Sequence, residues 1–593
     1  MAETHTHVLP FGAEPHSSGK TRFRIWAPSC DHVRLHIRDG ATTEMNPQGE
    51  GWFELTTEAP LGTRYKFVLP DGLEVPDPAS RLQDGDVHGW SVVFDAVAHE
   101  WHGIGPDGGD WMGRPWHETV LLEVHAGVLG GYNGVAQHLE RWRDLGFTAI
   151  ELMPLNDFPG KRGWGYDGVL PYAPETAYGS PGELKALIDR AHALGLQMFL
   201  DVVYNHFGPD GAYMHVYAGN TFFDGSRHSP WGAAIVHENP DVRDYFIENA
   251  IYWLNEYRFD GLRFDAVGAI LDLDFPGVMA RRIRAAIEPG RHVHLVVEHE
   301  HNRARLITPD QFDAQWNDDI HHAFHNLLTG ETEGYYADFA NGAAQLARCL
   351  SEGFAFQGEV NFKGDRRGET SGDLPPTAFV SFIQNHDQIG NRALGDRLTS
   401  TVDPEALRAA QAMLLLSPQI PLLFMGEEYG SQAPFPFFTD HHDELADLVR
   451  EGRRKEFAGF AAFSDERKRE QIPDPNAIET FMLACPDPAE EDPETTSPIR
   501  VLLGLRRAHL FARIPGAMAL GAGVLGDKAV IARWTMGDGA ELVIAMNLGT
   551  TPVRVDPAPD GSRLFESHPG DAAKLSDGSL PPLSTVAFLL ERT

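Results

Sequence analysis

Eight short apolar runs recur through the middle of the chain, and helical patterns lie between several of them. The runs are TVLLEVHAG at 119–127, FTAIELMPL at 147–155, QMFLDVVYN at 197–205, FDGLRFDAV at 259–267, HVHLVVEHE at 292–300, FDAQWND at 312–318, AFVSFIQNHD at 378–387 and IPLLFMGEE at 420–428. Runs rich in Val, Ile, Leu and Phe without polar alternation are typical of strands covered on both faces. The intervening helical patterns include 182–195 and 404–416. This alternation predicts an α/β fold, a parallel (β/α)₈ TIM barrel.

The chain is longer than one barrel requires. It has 593 residues, whereas a minimal barrel needs roughly 250. We assign 109–512 to the barrel and place its excess length in two insertions. One, near 207–239, is rich in Gly and His, and the other, near 430–496, is rich in Pro and Asp.

Both ends of the chain are predicted to form β-domains. Residues 1–108 contain short alternating strands separated by Gly, Pro and Asp, which predicts an N-terminal β-sandwich. Strand patterns return within 513–593 and predict a small C-terminal antiparallel β-domain. They lie at 529–536, 541–549 and 584–591.

Acidic residues outnumber basic residues by a wide margin. The sequence has 85 Asp and Glu against 49 Lys and Arg, so its formal net charge is −36. Such a surface repels phosphate backbones and anionic lipid, so we expect no nucleic-acid partner and no membrane partner. The longest apolar stretch, 409–425, is interrupted by Ser417, Pro418 and Pro421 and is too short to span a bilayer.

Cysteine usage and the N-terminal sequence bear on location. Cys30, Cys349 and Cys485 lie far apart and form no CxxC pair, which favours a reducing compartment and no thiolate metal site. The N-terminal sequence MAETHTHVLPFG has neither the basic segment nor the apolar segment of a signal peptide. Together these features predict a cytoplasmic protein.

Carboxylates end several of the apolar runs, at the end of the barrel where active sites lie. Asp201, Asp265, Glu298 and Asp387 end, or nearly end, the third, fourth, fifth and seventh runs. Single charges are costly to bury, so their recurrence at one rim needs a reason. Arg263 lies two residues before Asp265 on the same strand face, and we expect it to keep that carboxylate ionised, as a nucleophile requires.

Asp265 and Glu298 are expected to lie on adjacent strands. They are 33 positions apart, about the length of one βα unit. Two carboxylates that face each other across a bond are the minimum for glycoside hydrolysis, one as nucleophile and one as acid. Two structural ion pairs at the barrel rim would give the same pattern, so the spacing alone leaves both interpretations open.

Four short motifs, in order along the chain, resemble those of the α-amylase family of retaining glycoside hydrolases. They are DVVYNH at 201–206, GLRFDAV at 261–267, VVEHE at 296–300 and QNHD at 384–387. The resemblance implies that Asp265 is the nucleophile, Glu298 the general acid/base and Asp387 a third carboxylate that holds the sugar hydroxyls. Further candidate substrate-binding residues around this site are Asp201, His206, Arg263, His386 and Asn391.

Longer segments resemble one branch of that family, the maltooligosyltrehalose trehalohydrolases. They lie at 75–89, 151–181, 313–331 and 425–441. In that branch the enzyme cuts the α-1,4 bond next to a terminal trehalose unit, releasing trehalose and a maltooligosaccharide. The resemblance implies a neutral α-glucan substrate, no cofactor, and a place in trehalose biosynthesis after an enzyme that forms maltooligosyltrehalose.

Sugar sites need aromatic surfaces beside hydrogen-bonding groups. Trp164 and Tyr166 in GWGYDG are the preferred candidates because the glycines indicate an exposed loop, while Tyr172 and Trp316 are further candidates. For any one of these rings, packing in the core is an equally good interpretation. By resemblance, four residues of NDDIHH should contact sugar on the leaving side of the cut. They are Asp318, Asp319, His321 and His322.

The resemblance leaves other functions open. A glycogen-branching or debranching enzyme would have the same order of domains, and a non-catalytic α-glucan-binding protein could keep the barrel. The histidine-rich segment EHEH at 298–301 suggests a metal-dependent hydrolase, but strand alternation would divide its side chains between two faces. We therefore expect no catalytic metal. Some α-amylases hold a structural calcium ion with an Asn at the position of Asn205, and the sequence leaves that possibility open.

Overall fold

A closed barrel of eight parallel strands forms the centre of the protein in a computed structural model that describes residues 5–463, 465–487, 493–559 and 561–591. Its strands are β1 (Leu121–Val124), β2 (Ala149–Leu152), β3 (Gln197–Val202), β4 (Gly261–Phe264), β5 (His294–Val297), β6 (Ala314–Trp316), β7 (Phe379–Ser381) and β8 (Ile420–Phe424). The barrel closes where Leu121 of β1 pairs with Leu422 of β8. The predicted barrel is confirmed, and each strand lies within its predicted run.

The barrel interior is packed by apolar side chains. Phe199, Val296 and Trp316 belong to one buried cluster inside the strands, with Leu121 and Leu422. Because this core fills the barrel, substrate can reach the strands from the rim alone. The polar side chains described below lie at or just beyond the C-terminal ends of the strands.

Most helices connect the barrel strands or lie in the insertions, and the helix Asp571–Ser576 belongs to the C-terminal domain. Their bounds are Gly131–Leu145, Pro181–Ala193, Met214–Tyr217, Gly219–Phe222, Pro240–Asn255, Phe275–Ala286, Asp318–Thr329, Gly342–Glu352, His386–Gly390, Leu398–Thr401, Pro404–Leu416, Asp443–Glu456, Glu466–Arg469, Ile478–Ala484, Pro493–Leu505 and Asp571–Ser576. The helix that follows β2 begins at a capping box, in which Ser180 and Glu183 bond each other's backbone N–H groups. Pro181 then occupies the first turn, where its missing N–H costs nothing.

Single-turn helices lie at several element ends. The 3₁₀ turns are Trp116–Glu118, Thr176–Tyr178, Val267–Ala269, Ala304–Leu306, Gly334–Phe339, Pro376–Ala378, Glu427–Tyr429, Phe457–Gly459, Ala461–Phe463 and Phe511–Arg513, and a π turn covers Arg506–Leu510. Three short hairpins lie in the loops that follow barrel strands. Their strand pairs are Asn156–Asp157 with Leu170–Pro174, Phe223–Ser229 with Gly232–Ile235, and Glu359–Val360 with Arg366–Arg367. The first two hairpins lie beside the candidate site.

Two antiparallel sheets form the N-terminal sandwich, as predicted. One contains Gly12–Pro15, Lys20–Trp26, Asn46–Gly49 and Trp52–Glu58, and the other contains Arg34–Ile37, Thr42–Glu44, Arg64–Val68, Glu74–Val75, Gln83–Asp84 and Trp90–Val92. Buried and partly exposed residues alternate along Lys20–Trp26, because one face of the strand meets the core. Phe11 packs against Tyr172 and Tyr245 of the barrel, so the sandwich and the barrel share a core.

The C-terminal domain contains a five-stranded antiparallel sheet, as predicted. Its strands are Met518–Gly526, Ala529–Thr535, Glu541–Asn547, Ser562–Glu566 and Ser584–Leu590, and Val553–Arg554 pairs separately with Ser579–Leu580. The strand Met518–Gly526 was not predicted, since its sequence MALGAGVLG is dominated by Ala and Gly. Within the described ranges, no helix is long and apolar enough to cross a membrane.

The two predicted insertions contain short elements near the rim. The segment 207–239 holds two single-turn helices and a hairpin, and the described part of the segment 430–496 includes the helices Asp443–Glu456, Glu466–Arg469 and Ile478–Ala484. Residues 464 and 488–492 of the second insertion, like residues 1–4 at the N-terminus, lie outside the described residues.

Candidate active site

One buried guanidinium connects the acidic residues at the ends of β3, β4 and β5. Arg263 donates from Nη1 to Asp201 at 2.6 Å and to Asp265 at 2.9 Å, and from Nη2 to Glu298 at 2.8 Å. Its side chain has no exposed surface and lies over the ring of Trp316, 4.1 Å from the centroid. Because adjacent nitrogens of one rigid group hold Asp265 and Glu298, their carboxylates are fixed relative to each other.

The backbone after β4 also positions Glu298. Ala266 has a φ of 39°, a left-handed conformation that is strained for a residue with a side chain. In this conformation its N–H donates to Oε2 of Glu298 at 2.8 Å. The same carboxylate oxygen therefore accepts from both Arg263 and Ala266, and these bonds fix the orientation of the side chain.

Burial raises the proton affinity of both carboxyl groups. It raises the pKa of Glu298 to about 7, and Asp265 and Asp387 also raise it while Arg263 opposes them. Burial raises the pKa of Asp265 to about 6, against the lowering effect of Arg263. We expected Arg263 to keep Asp265 ionised, and the guanidinium does lower its pKa, but burial outweighs this effect. Near pH 6.5 the pair can hold one proton, favoured on Glu298.

His386 lies between two carboxylates, and one of them was missed by sequence analysis. Its Nδ1 and its backbone N–H both bond Glu123 of β1, and its Nε2 lies 3.4 Å from Oδ1 of Asp387. Burial opposes a charge on this ring, but Glu123 and Asp387 raise its pKa well above the ordinary value. Burial acts to raise the pKa of Asp387, yet His386 holds it below the usual range. A single acid inside an apolar run, as in TVLLEVHAG, is the signal that could have identified Glu123.

Tyr166 and Trp164 reach the site from the loop between Asn156–Asp157 and Leu170–Pro174. The hydroxyl of Tyr166 donates to Asp201 at 2.6 Å, and its ring stacks on His386 with centroids 5.1 Å apart. Trp164 is 5% exposed and stacks on Phe435 at 5.5 Å. The loop therefore approaches the site as predicted. The prediction that Trp164 is exposed is wrong, because the ring of Phe435 covers one face of its ring.

His206 and Asn205 extend the hydrogen-bond network of the site on the side of β3. Asn205 donates from Nδ2 to Asp265 at 3.2 Å and bonds Nδ1 of His206 through its oxygen. His206 stacks on Trp231, with centroids 4.6 Å apart, and burial lowers its pKa to about 4. Trp231 is 51% exposed and was not predicted as a site residue. The position of its ring against His206 makes it the better candidate for an aromatic surface.

The structure divides the four residues predicted from NDDIHH. Asp318 and His322 are four residues apart on the helix Asp318–Thr329, so they share a face. Both line an open cleft beside Glu298 and Asp387. Burial is the main cause that raises the pKa of Asp318 to about 8, and the nearby charge of Glu298 adds to it. Asp319 and His321 turn away from this face and are buried.

Asp319 and His321 are therefore corrected to structural residues. Asp319 accepts from Asn302 at 2.8 Å and from the backbone N–H groups of Ala355 and Phe356. Nδ1 of His321 bonds the carbonyl of Ile383. Both side chains are committed to the protein, so neither can contact a sugar in this arrangement.

Two of the other predicted aromatic surfaces also lie in the core. Tyr172 has no exposed surface, and its hydroxyl donates to the carbonyl of Tyr245 at 2.5 Å. Trp316 is 1% exposed and lies inside the barrel beneath Arg263. For these two rings the alternative interpretation, packing, is correct.

Open space lies on both sides of the acidic cluster. On one side a cleft of about 890 Å³ extends from Glu298, Asp318 and Asp387 to the rings of Tyr336 and Phe460. We call this space the acid-side cleft, and Glu300 and Asn391 also line it. On the other side a cavity of about 350 Å³ lies beside His206 and Trp231. The insertion aromatics of the acid-side cleft, including Phe457 and Phe463, were not predicted.

The described residues offer no metal centre. Within them, no group of three or more His, Cys, Asp or Glu side chains could hold an ion. The amide of Asn205 is occupied by Asp265 and by the carbonyl of Ala266 at 3.4 Å. The arrangement supplies acid–base and nucleophilic groups that need no cofactor.

Comparison with known proteins identifies the family. Family models match in three places: carbohydrate-binding module 48 (isoamylase N-terminal domain) over residues 10–76, the alpha amylase catalytic domain over 79–223, and a domain of unknown function (DUF3459) over 518–588. A malto-oligosyltrehalose trehalohydrolase of Deinococcus radiodurans is 40% identical over 92% of this chain and 90% of its own. The chain belongs to the malto-oligosyltrehalose trehalohydrolase family. The family member of Saccharolobus solfataricus is also 40% identical, over 76% of this chain and 80% of its own.

A solved structure shares the architecture of this trehalohydrolase-family chain from end to end. That protein is described as an alpha amylase and comes from Salmonella typhimurium. It is 42% identical to this chain, and the two structures superpose with a TM-score of 0.90. The match covers 99% of this chain and 100% of that one. The α-amylase family, which the four motifs indicated, and the fold, which the apolar runs predicted, are thus confirmed.

Proposed function

We propose that this enzyme hydrolyses the α-1,4-glucosidic bond next to the terminal trehalose unit of maltooligosyltrehalose. The products are trehalose and a shortened maltooligosaccharide, and the mechanism is a retaining double displacement. The named function of the family members at 40% identity supports the choice of substrate.

The single observation that carries the mechanism is the bridge from Arg263 to both Asp265 and Glu298. It holds the nucleophile and the acid close together, as a retaining enzyme requires. The pKa of about 6 for Asp265 and of about 7 for Glu298 gives the two groups different protonation states in the same pH range. One fixed pair thus supplies an anion and an acid.

In the first step Asp265 attacks the anomeric carbon while Glu298 protonates the leaving oxygen. The leaving sugar must lie on the side of the acid, so the trehalose unit occupies the acid-side cleft near Asp318 and His322. The glucan chain then extends past His206 and Trp231. Asp387, held by His386 and by Nδ2 of Asn391 at 3.3 Å, is placed to bond sugar hydroxyls.

In the second step the ionised Glu298 removes a proton from water. As that proton leaves, the water oxygen attacks the anomeric carbon and the bond from this carbon to Asp265 breaks, so the carboxylate leaves and the maltooligosaccharide is released. Glu298 regains its proton from that water, so the enzyme returns to its starting state. No cofactor takes part in either step of the proposed reaction.

Chromatography of reaction products tests the substrate. We expect free trehalose from maltooligosyltrehalose and little turnover of a plain maltooligosaccharide of equal length. Asp265→Asn and Glu298→Gln should each abolish trehalose release, while Asp144→Asn, an exposed acid distant in sequence from the site, should not. Near-normal release by either active-site variant would overturn the mechanism. New or cleaved α-1,6 bonds would indicate a branching or debranching enzyme, and binding without turnover would indicate a non-catalytic protein.

We also propose that the enzyme works in the cytoplasm, after an enzyme that forms maltooligosyltrehalose. Cys30, Cys349 and Cys485 are free thiols, which suits a reducing compartment. Cell fractionation with an antibody to this chain would test the location. In a strain that lacks the enzyme, maltooligosyltrehalose should accumulate if this enzyme acts after the one that forms it.

A further inference from the structure

A buried pair of acids lies at the base of the loop that approaches the active site. Asp157 ends the first strand of the hairpin, and Glu175 follows the second strand, Leu170–Pro174. Asp157 is 1% exposed and Glu175 has no exposed surface. The mechanism above uses neither of them, yet burying two carboxylates together is costly unless a proton reduces their charge.

The hydrogen bonds of the two carboxyl groups differ. Glu175 accepts the N–H of Ala177 at 2.7 Å on one oxygen and the N–H of Phe158 at 3.1 Å on the other. Asp157 accepts the N–H of Thr176 at 3.2 Å on Oδ1, while its Oδ2 is buried and has no hydrogen-bond partner among the described residues. A carboxylate is therefore well accommodated at Glu175, whereas Oδ2 of Asp157 is the atom suited to carry a proton.

The surroundings also disfavour two negative charges. The groups that face the pair from neighbouring elements are Asp86 of the sandwich, Tyr132 of the helix after β1, and Tyr178. None of these three is a cation. Burial raises the pKa of Asp157 well above the ordinary value, and raises that of Glu175 to about 7.

Glu175 and the backbone of Asp157 bond the first and last residues of the loop 158–169. The N–H of Phe158 opens the loop and is held by Glu175, and the N–H of Val169 closes it on the carbonyl of Asp157 at 2.9 Å. Between these points the loop carries Trp164 and Tyr166, which contact His386. A change in charge at the base can therefore alter the position of side chains at the catalytic site.

We propose that Asp157 and Glu175 share one proton and that, in this state, they hold the loop 158–169 in the conformation that places Tyr166 at the catalytic site. Asp157 carries the proton and directs it toward the carboxylate of Glu175. When the proton is lost to solvent at high pH, repulsion between the two anions loosens the loop. The two acids are positioning residues, and they act through Tyr166.

Three variants and two measurements test the proposal. Asn at 157 reproduces the protonated acid, because its Nδ2 can donate where Oδ2–H does, so Asp157→Asn should keep KM within about twofold of the wild type at neutral pH. Asp157→Ala should raise KM by roughly tenfold, because the loop loses one of the two acidic side chains that hold its ends. Glu175→Gln should resemble Asp157→Ala, because an amide nitrogen would face a backbone N–H. As the pH is raised until Asp157 ionises, the KM of the wild type should rise, and that of Asp157→Asn should stay flat.

The KM measurement rests on the proposed function, but hydrogen exchange of the free wild-type protein does not. We expect protection factors of the amides in 158–169 to fall at high pH, where Asp157 ionises, while those in β1 stay unchanged. Asp157→Asn should abolish that fall. The proposal is overturned if protection in 158–169 is independent of pH, if Asp157→Asn is as impaired as Asp157→Ala, or if Glu175→Gln matches Asp157→Asn. A failure to release trehalose would leave the exchange result unaffected.

Discussion

At the residue scale, the two carboxyl groups that we propose as catalytic set the pH range of the reaction. In the proposed mechanism Asp265, with a pKa of about 6, must be ionised, and Glu298, with a pKa of about 7, must be protonated. We therefore expect kcat/KM to fall as pH drops below about 6 and as it rises above about 7. An α-maltosyl fluoride substrate separates the two limbs, because fluoride leaves without protonation. With it the alkaline limb of the first step should disappear, and a persistent limb would contradict the role of Glu298.

The contact between Glu123 and His386 gives a second prediction at this scale. Glu123→Gln removes an anion that keeps His386 protonated, so Asp265 and Asp387 lose the lowering effect of a neighbouring cation. The acid limb of kcat/KM should then move upward by about one pH unit, and activity should fall roughly tenfold below pH 6.

Glu151 of β2 provides the matched control for Glu123. It is buried beside Glu123, neither of its oxygens has a hydrogen-bond partner among the described residues, and burial raises its pKa well above the ordinary value. Because Glu151 is already neutral, Glu151→Gln should leave the pH profile unchanged. Equal shifts from both variants would mean that burial, rather than the contact with His386, controls the acid limb.

At the element scale, one arginine holds the connection between the helix Pro404–Leu416 and β8. Arg506 in the π turn donates to the carbonyls of Leu415 at 3.0 Å, Ser417 and Gln419 at 2.6 Å, between the helix Pro404–Leu416 and β8. Arg506→Met keeps the length of the side chain but leaves three buried carbonyls without this donor. We expect the free energy of unfolding in urea to fall by about 3 kcal/mol, with KM unchanged. Wild-type stability in this variant would show that water replaces the guanidinium.

Elements with strong local patterns were predictable from the sequence, and weakly patterned ones were not. The eight barrel strands are almost fully buried, so their apolar runs stand out. The strand Met518–Gly526 has small side chains and a mostly half-exposed surface, so it resembles a loop in the sequence. Its pairing with Ala529–Thr535 stabilises it, and that is a tertiary effect.

The candidate site shows the same division. Asp265, Glu298 and Asp387 follow buried strands in recognisable motifs, so the sequence alone indicates them. Asp319 lies one residue from Asp318 and points elsewhere, because successive helical residues differ by about 100° in direction. Trp231 contacts His206 through the fold of an insertion, and no local pattern predicts that contact.

At the scale of the whole molecule, the sandwich is joined to the barrel by buried charges as well as by apolar packing. Arg81 of the N-terminal region bonds Glu14 at 2.6 Å and lies 3.7 Å from Glu256 of the barrel. The segment after the sandwich is anchored by Trp111, whose indole N–H donates to Asp260 at 2.9 Å. We propose domain boundaries near 108 and 512, between parts that are packed together rather than flexibly linked.

The net charge of −36 gives the last prediction. A neutral oligosaccharide gains nothing from the field of an acidic surface, so kcat/KM should change by less than about twofold between about 10 mM and about 500 mM salt. Stability should rise over the same range, because salt screens repulsion among the surface carboxylates. A substrate analogue oxidised to a carboxylate at its free end provides the control. Its kcat/KM should be low at low salt and should increase as salt is added, since the enzyme repels an anion. A strong salt dependence with the neutral substrate would mean that the surface charge takes part in binding.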